Sequence, residues 1–178
     1  SNARAVMAFA PAGSLLHAPD MYMKKIVVSR RAKGAIDLRR SLSKNLLSVA
    51  KALDKPLTSL RMVTLDKPRL RPAIDEATKL GVKVFALPDG DVAASVQTCM
   101  ADNAYDVMFT IGGAPEGVIS ACAVTALGGD MQAELIDFCE AKGDSPEHRQ
   151  IAQDERRRCG EMGVEVNRVY QLDDIVSH

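Results

Sequence analysis

Three strand-like runs, each followed by a helix-like segment, constrain the fold of this chain more than any other feature. The runs are rich in β-branched and other apolar residues, and two of the helical segments carry a proline in the first turn and a glycine after the last. Such runs, joined by helical crossovers, are typical of buried parallel strands. We therefore predict an α/β fold, a three-layer sandwich with a mostly parallel sheet covered by helices. The predicted strands are residues 61–65, 82–87 and 107–111, and the predicted helices are residues 72–80, 92–100 and 116–127.

Weaker patterns predict further elements on either side of this region. Apolar residues from Leu42 to Leu53 recur at spacings of four, three and four, which indicates a helix capped by Ser41 or Ser43. The polar residues 146–162 predict another helix, whose arginines we interpret as a solvated face rather than a nucleic-acid patch. Additional strands are predicted at residues 4–10, 25–29, 131–138 and 168–172.

Length and composition narrow the classes of partner. The 178 residues suit one domain with a hydrophobic core, so we read residues 1–3 as an expression scar and residues 4–178 as a single α/β domain. Basic and acidic residues number 23 each and aromatics are 4%, which argues against nucleic-acid and anionic-membrane partners. The longest apolar stretch, residues 117–129, is too short to span a bilayer. The four cysteines form no CxxC motif, which favours a reduced, cytoplasmic protein.

Charged residues follow each of the three regular strands. The connections are Asp-Lys-Pro-Arg at 66–69, Pro-Asp-Gly-Asp at 88–91 and Gly-Gly-Ala-Pro-Glu at 112–116. The carboxyl ends of parallel strands share one edge of a sheet, where α/β folds bind their ligands. Cations can neutralise phosphate oxygens, and carboxylates can hold a hard cation or sugar hydroxyls. The three connections together therefore indicate a site for a phosphate and a divalent metal.

We expect a tight glycine turn at Gly112-Gly113, between a buried strand and a helix, which leaves backbone N–H groups at the mouth of the strand, where α/β folds bind their ligands. The charged residues also have purely structural explanations. Asp91 can cap the helix that follows it, and Asp89-Gly90 is an ordinary turn pair. Glu116 can complement the dipole of its helix. Only the common edge of the sheet favours a functional site over these alternatives.

With these residues in place, the chain resembles a class II fructose-1,6-bisphosphatase of the bacterial type. The motifs that match occur in family order: HAPDMYM (17–23), AKGAIDL (32–38), KPR (67–69), PDGDVAAS (88–95), IGGAPEGV (111–118) and RCGEMGVE (158–165). The family belongs to the lithium-sensitive, metal-dependent sugar phosphatases. The resemblance implies hydrolysis of the 1-phosphate of fructose 1,6-bisphosphate to fructose 6-phosphate, a step of gluconeogenesis, with Mg²⁺ or Mn²⁺. Some photosynthetic members also accept sedoheptulose 1,7-bisphosphate.

The resemblance implies roles for individual residues. The tyrosine of the first motif is a substrate contact, KPR grips the sugar phosphate, the Asp-Gly-Asp turn binds substrate, and a glycine contributes its backbone. The implied substrate-binding residues are Tyr22, Lys67, Pro68, Arg69, Asp89, Gly90, Asp91 and Gly113. The implied metal ligand is Glu116, and no residue is assigned a catalytic role. Lys24 stands where family members commonly have glutamate, which leaves its role open.

Part of the family pattern has no counterpart in this sequence. The N-terminal part, with its aspartate and glutamate metal ligands, and the C-terminal tail are both missing. We therefore expect the sugar-phosphate half of a larger phosphatase, inactive alone and prone to form a homo-oligomer through uncovered apolar surface. A non-catalytic sugar-phosphate-binding module is the main alternative. A nucleotide phosphotransferase is a weaker one, because no GxxxxGK[ST] motif is present.

Overall fold

A six-stranded sheet with helices on both faces forms the fold in the computed structural model, which describes residues 6–177. The strands are β1 Tyr22–Val28, β2 Arg61–Leu65, β3 Lys83–Leu87, β4 Val107–Gly113, β5 Asp130–Ile136 and β6 Val169–Gln171. The helices are α1 Leu42–Ala52, α2 Arg71–Lys79, α3 Asp91–Cys99, α4 Ala114–Ala126, α5 Phe138–Lys142, α6 Pro146–Met162 and α7 Leu172–Ile175. None of these described helices combines the length and the apolar character that crossing a membrane requires.

The strands lie in the order β3-β2-β4-β1-β5-β6. β2 pairs in parallel with both β3 and β4, as the alternation of strands and helices predicted. β1 is antiparallel to both of its neighbours, β4 and β5, and β6 is antiparallel to β5. Four strands therefore run in one direction, and β1 and β6 run in the other.

Side chains that alternate along each strand build a separate core on each face. In β4, Val107 packs in the core under α1 and α2, whereas Met108 packs in the core under α3 and α4. Because both faces are covered, neighbouring residues of a strand are both buried, which explains the continuous apolar runs. The predicted α/β class and its three layers are confirmed.

Three expectations for local structure need correction. Residues 6–10 form no strand, and their large side chains are exposed, up to 90% for Phe9. Residues 1–5, which include the predicted scar at 1–3, lie outside the described residues. Gly112 and Gly113 are not a turn but the last two residues of β4, held extended by pairing with β1. The strand expected at 131–138 ends at Ile136, because the Asp137 side chain accepts a hydrogen bond from the backbone N–H of Glu140 and caps α5.

Asp106 makes buried contacts at the edge of the sheet where the parallel strands begin, which is opposite the candidate site. Its side chain is 1% exposed, and it accepts hydrogen bonds from Lys55 Nζ at 2.7 Å and from the Arg61 backbone N–H at 2.9 Å. Burial raises the pKa of this carboxyl group, but the hydrogen bonds from Arg61 and Lys55 outweigh burial and hold the pKa below its ordinary value.

We expect Asp106→Asn to lower the free energy of unfolding by about 1–2 kcal/mol at pH 7. A carboxyl group whose pKa is lowered by folding stabilises the protein above its unfolded pKa of about 3.9 and loses that contribution as pH falls further. The difference between variant and wild type should therefore shrink below about pH 4, which denaturant titrations across pH would measure. Asp66→Asn, which removes an exposed pair with Arg71, is the control and should change stability by about 0.5 kcal/mol or less. An equal loss in both variants would contradict this role of Asp106.

Candidate functional site

The ends of five strands meet at one edge of the sheet and form the candidate site. β2, β3, β4 and β5 finish at this edge, and β1 begins there because it runs in the opposite direction. Tyr22, the first residue of β1, pairs with Gly113 at the end of β4 and with Ile136 at the end of β5. The antiparallel position of β1 thus brings Tyr22 to the three connections singled out in the sequence.

Lys67 and Arg69 join these three connections. Lys67 Nζ lies 3.2 Å from Asp89 Oδ1, which links the connections after β2 and β3. Arg69 Nε donates a hydrogen bond of 2.8 Å to the carbonyl of Ile111 in β4. That bond fixes the guanidinium group 4.9 Å from the centre of the Tyr22 ring, where the cation faces the π-system. The two terminal guanidinium nitrogens of Arg69 have no hydrogen-bond partner within residues 6–177, so they can bind an anion.

A second cation, not singled out from the sequence, lies against the same ring. Lys142, in the last turn of α5, places its Nζ 5.7 Å from the centre of the Tyr22 ring. An open cavity of about 300 Å³ lies between the Pro68-Arg69 segment and the end of α5. Lys142 has no ion pair among the described residues. Two cations that share one ring and one cavity without a carboxylate between them favour an anionic ligand.

Asp91 is the buried carboxylate of the site, and its partner is Lys25 of β1. Lys25 Nζ lies 2.6 Å from Asp91 Oδ2 and 3.3 Å from the Gly113 carbonyl, and the lysine side chain is fully buried. Burial lowers the pKa of Lys25 below its ordinary value, and the opposing effects of Asp91 and Glu116 are smaller. Gly90 is the N-cap residue of α3, and the Asp91 carboxylate makes no capping hydrogen bond. The interpretation of Asp91 as a helix cap is therefore wrong.

The glycines after Ile111 make room for the charged side chains. A Cβ atom at Gly112 would lie 2.6 Å from Asp91 Oδ2 and 3.3 Å from Lys25 Nζ. At Gly113 it would collide with the Glu116 carboxylate, and at Gly117 with Met23. These glycines have ordinary negative φ angles, so it is the close approach of side chains, and not backbone conformation, that requires them here.

Glu116 lies exposed in the first turn of α4 and makes no ion pair within the described residues. The other carboxylates of the site are engaged, since Asp91 pairs with Lys25 and Asp89 pairs with Lys67. No group of three or more His, Cys, Asp or Glu side chains in residues 6–177 can hold a metal ion. Glu116 can supply one ligand to a divalent cation, but the described part of the chain does not form a complete metal site.

The structure gathers all the substrate-binding residues expected from the resemblance at this edge, together with Glu116. It also shows what Lys24 does, because its Nζ lies 2.5 Å from Glu134 Oε2 and 3.8 Å from Glu140 Oε1. Sequence reasoning missed Lys25 and Lys142. A lysine inside the apolar run of β1 was the available signal for Lys25, whereas a lysine at the end of a five-residue helix offered none.

Comparison with known proteins gives the family. The sequence model of a protein family, described as bacterial fructose-1,6-bisphosphatase, glpX-encoded, matches residues 1–178. Fructose-1,6-bisphosphatase 2 class 2 of Escherichia coli K12 is 77% identical over 99% of this chain and 55% of its own length. Fructose-1,6-bisphosphatase 1 class 2 of the same organism is 51% identical over 98% of this chain and 52% of its own length.

A cyanobacterial relative broadens the comparison. The D-fructose 1,6-bisphosphatase class 2/sedoheptulose 1,7-bisphosphatase of Trichodesmium erythraeum is 36% identical over 99% of this chain and 51% of its own length. The chain spans about half the length of the curated relatives it matches. The family match extends over every residue, and the candidate site combines cations with carboxylates. This chain belongs to the bacterial, glpX-encoded fructose-1,6-bisphosphatase family.

Proposed function

We propose that this chain is the sugar-phosphate-binding part of a metal-dependent phosphatase. The complete enzyme would hydrolyse the 1-phosphate of fructose 1,6-bisphosphate to fructose 6-phosphate and phosphate in gluconeogenesis. The observation that supports this function is the convergence of Lys67, Arg69, the Asp-Gly-Asp turn and Glu116 at one edge of the sheet. Cations for phosphate and carboxylates for hydroxyls are the groups that a sugar phosphate requires.

Each group has a distinct task in this proposal. The free guanidinium nitrogens of Arg69 bind phosphate oxygens, and Lys67 adds a second positive charge. Tyr22 orients the guanidinium group through its ring and limits the space beside it. The free oxygen of Asp91 accepts a hydrogen bond from a sugar hydroxyl, and Gly113 contributes its backbone. These contacts bind and orient the substrate.

We propose Mg²⁺ or Mn²⁺ as the cofactor of the complete enzyme, with Glu116 as one of its ligands. Such an ion supplies positive charge to the phosphoryl group when it is bound. Mg²⁺ prefers octahedral oxygen coordination, so the remaining ligands must come from outside the described residues. The task of this chain's own residues is to fix the sugar phosphate beside the Glu116 carboxylate.

The central experiment is a phosphate-release assay on a full-length protein that carries this segment. We expect metal-dependent release from fructose 1,6-bisphosphate, and the assay should compare Mg²⁺ with Mn²⁺ and include sedoheptulose 1,7-bisphosphate. Absence of release from either substrate would overturn the catalytic proposal.

The alternative is a non-catalytic sugar-phosphate-binding module. The observation in its favour is that residues 6–177 contain no group of three or more His, Cys, Asp or Glu side chains that could hold a metal ion. Binding of fructose 6-phosphate without turnover in the full-length protein would support this alternative over a phosphatase.

We also propose that the protein acts in the cytoplasm and forms a homo-oligomer. All four cysteines are free, which suits a reducing compartment. β3 is an edge strand with Phe85 42% exposed, and Met7 and Phe9 are 78% and 90% exposed, so apolar surface is available for self-association. Light scattering of the purified protein would give its mass, and a monomer at high concentration would contradict the oligomer.

We expect Lys142→Ala to weaken the binding of fructose 6-phosphate by about three- to tenfold, because an exposed cation contributes less to an anion than a buried one. Calorimetric titration measures the change, and its size should decrease as ionic strength rises. Lys79→Ala is the matched control, because Lys79 also lies in the last turn of a helix but away from the site. Equal affinity of the two variants for fructose 6-phosphate would show that Lys142 is not part of the site.

A further inference from the structure

Lys25 is the largest fully buried side chain of the described residues, and it lies beneath the candidate site. Its hydrocarbon part passes under α4, where a Cβ atom at Gly117 would lie 3.2 Å from Lys25 Cδ. The buried ammonium group lies between the start of α3 and the end of β4, where it donates hydrogen bonds to Asp91 Oδ2 and to the Gly113 carbonyl. The lysine does not reach the surface, so it is not placed to touch a ligand.

Both partners of Lys25 are residues that we propose to contact substrate. Asp91 Oδ2 is occupied by the ammonium group, whereas Asp91 Oδ1 accepts no hydrogen bond from residues 6–177. The Asp91 side chain keeps 11% of its surface exposed, so this oxygen can receive a hydrogen bond from outside the protein. Gly112 has no side chain, which leaves the carboxylate room to lie against the strand.

The fold alone gives little reason for this pair. The neighbours of Lys25 on the same face of β1 are Met23 and Val27, and both are fully buried in an apolar core. A methionine at position 25 would match that core, and a buried ion pair is seldom more stabilising than apolar residues of similar size. What the pair supplies, and an apolar side chain could not, is a fixed orientation for a carboxylate at the mouth of the site.

We propose that Lys25 is a positioning residue of the sugar-binding site: it holds the Asp91 carboxylate and the Gly113 carbonyl in the arrangement that receives the sugar hydroxyls. Lys25 acts on the sugar only through these two groups. The phosphate is bound by other residues, Lys67 and Arg69. This inference rests on the proposed sugar-phosphate site, and it separates the recognition of the sugar from the recognition of phosphate.

The experiment compares fructose 6-phosphate with inorganic phosphate in calorimetric titrations of the 178-residue chain. We expect Lys25→Met to weaken fructose 6-phosphate binding by about 10- to 100-fold, the range for a hydrogen bond to a charged group, and to change phosphate binding by less than about twofold. The double variant Lys25→Met/Asp91→Asn preserves net charge. It should bind fructose 6-phosphate as weakly as Asp91→Asn alone and bind phosphate like the wild type.

Two further variants keep the inference falsifiable. Gly112→Ala retains the charges of Lys25 and Asp91, but its added methyl group displaces the Asp91 carboxylate. It should therefore weaken the binding of fructose 6-phosphate and not that of phosphate. This variant tests the inference if circular dichroism shows that Lys25→Met is unfolded. Lys55→Met removes another lysine paired with a buried aspartate, at the opposite edge of the sheet, and should leave both affinities unchanged.

The outcomes distinguish the inference from the proposed function. A folded Lys25→Met variant with wild-type affinity for fructose 6-phosphate would overturn the inference alone, as would an equal loss of both ligands. Unchanged fructose 6-phosphate binding in Gly112→Ala would have the same consequence. A wild-type chain that binds fructose 6-phosphate no better than inorganic phosphate would overturn the proposed function, and the inference with it.

Discussion

The 178-residue chain alone is expected to release no phosphate from fructose 1,6-bisphosphate, even with saturating Mn²⁺. The reason is that residues 6–177 contain too few metal ligands at the site. Glu116 is the one carboxylate of the site without an ion pair in that range, and no group of three potential ligands is present there. A single carboxylate cannot hold a divalent ion against water, because such ions take about six oxygen ligands.

The same reasoning predicts a large effect of Glu116→Ala in a full-length protein that carries this segment. Loss of outer-shell partners alone costs about 10- to 100-fold in metal affinity or activity. If Glu116 is a direct ligand, as we propose, its loss should slow phosphate release at least about 100-fold. Phosphate release measured across a Mn²⁺ titration would show whether excess metal restores part of the rate.

Glu147→Ala is a matched control for Glu116→Ala. Glu147 is also an exposed glutamate that follows a proline in the first turn of a helix, so its loss has a similar effect on the helix dipole. We expect Glu147→Ala to retain wild-type turnover. Metal-dependent turnover by the 178-residue chain, lost on Glu116→Ala, would show that the site is complete here and that our account of the ligands is wrong.

The second large effect is expected at Arg69, again in a full-length protein that carries this segment. Arg69→Ala removes the guanidinium group that is fixed between the Ile111 carbonyl and the Tyr22 ring. We expect fructose 1,6-bisphosphate binding to weaken by about 1.5–3 kcal/mol, the range for hydrogen bonds that involve a charged group. Arg69→Lys should recover only part of this loss, because an ammonium group lacks the planar fork that binds two phosphate oxygens.

Arg71→Ala provides the control for Arg69. Arg71 lies two residues further along the chain, but its partner is Asp66 at 3.2 Å, and both side chains are exposed. Exposed pairs of this kind contribute little, so the Michaelis constant should not change. If Arg69→Ala left both the Michaelis constant and turnover unchanged, Arg69 would be only a surface charge.

The local structure predicted for the glycine motif is wrong, although the motif lies at the candidate site. The sequence predicts a turn at Gly112-Gly113 that offers backbone N–H groups to a ligand. The structure makes both residues part of β4, because β1 pairs with them. The glycines are required since a larger side chain at Gly112 would collide with Asp91, and one at Gly113 would collide with Glu116. The glycines therefore matter at the candidate site because they lack side chains.

Local sequence patterns are sufficient to predict the parallel core of the sheet and the residues at its carboxyl edge. The period of apolar residues and the prolines and glycines at helix ends are local signals, so β2, β3 and β4 were predicted within about two residues of their observed ends. Parallel strands necessarily end at one edge, so the sequence alone predicts that Lys67, Asp89 and Glu116 lie together.

The contacts that hold these residues in place depend on how distant strands pair in the folded protein. β1 lies antiparallel between β4 and β5, and pairing between strands so distant in the chain leaves no local trace in either sequence. That pairing brings Tyr22 under Arg69 and buries Lys25 against Asp91, which is 66 residues away along the chain. Local periodicity reports which face of a strand is apolar, but a buried ion pair depends on two segments that meet only when the sheet is assembled.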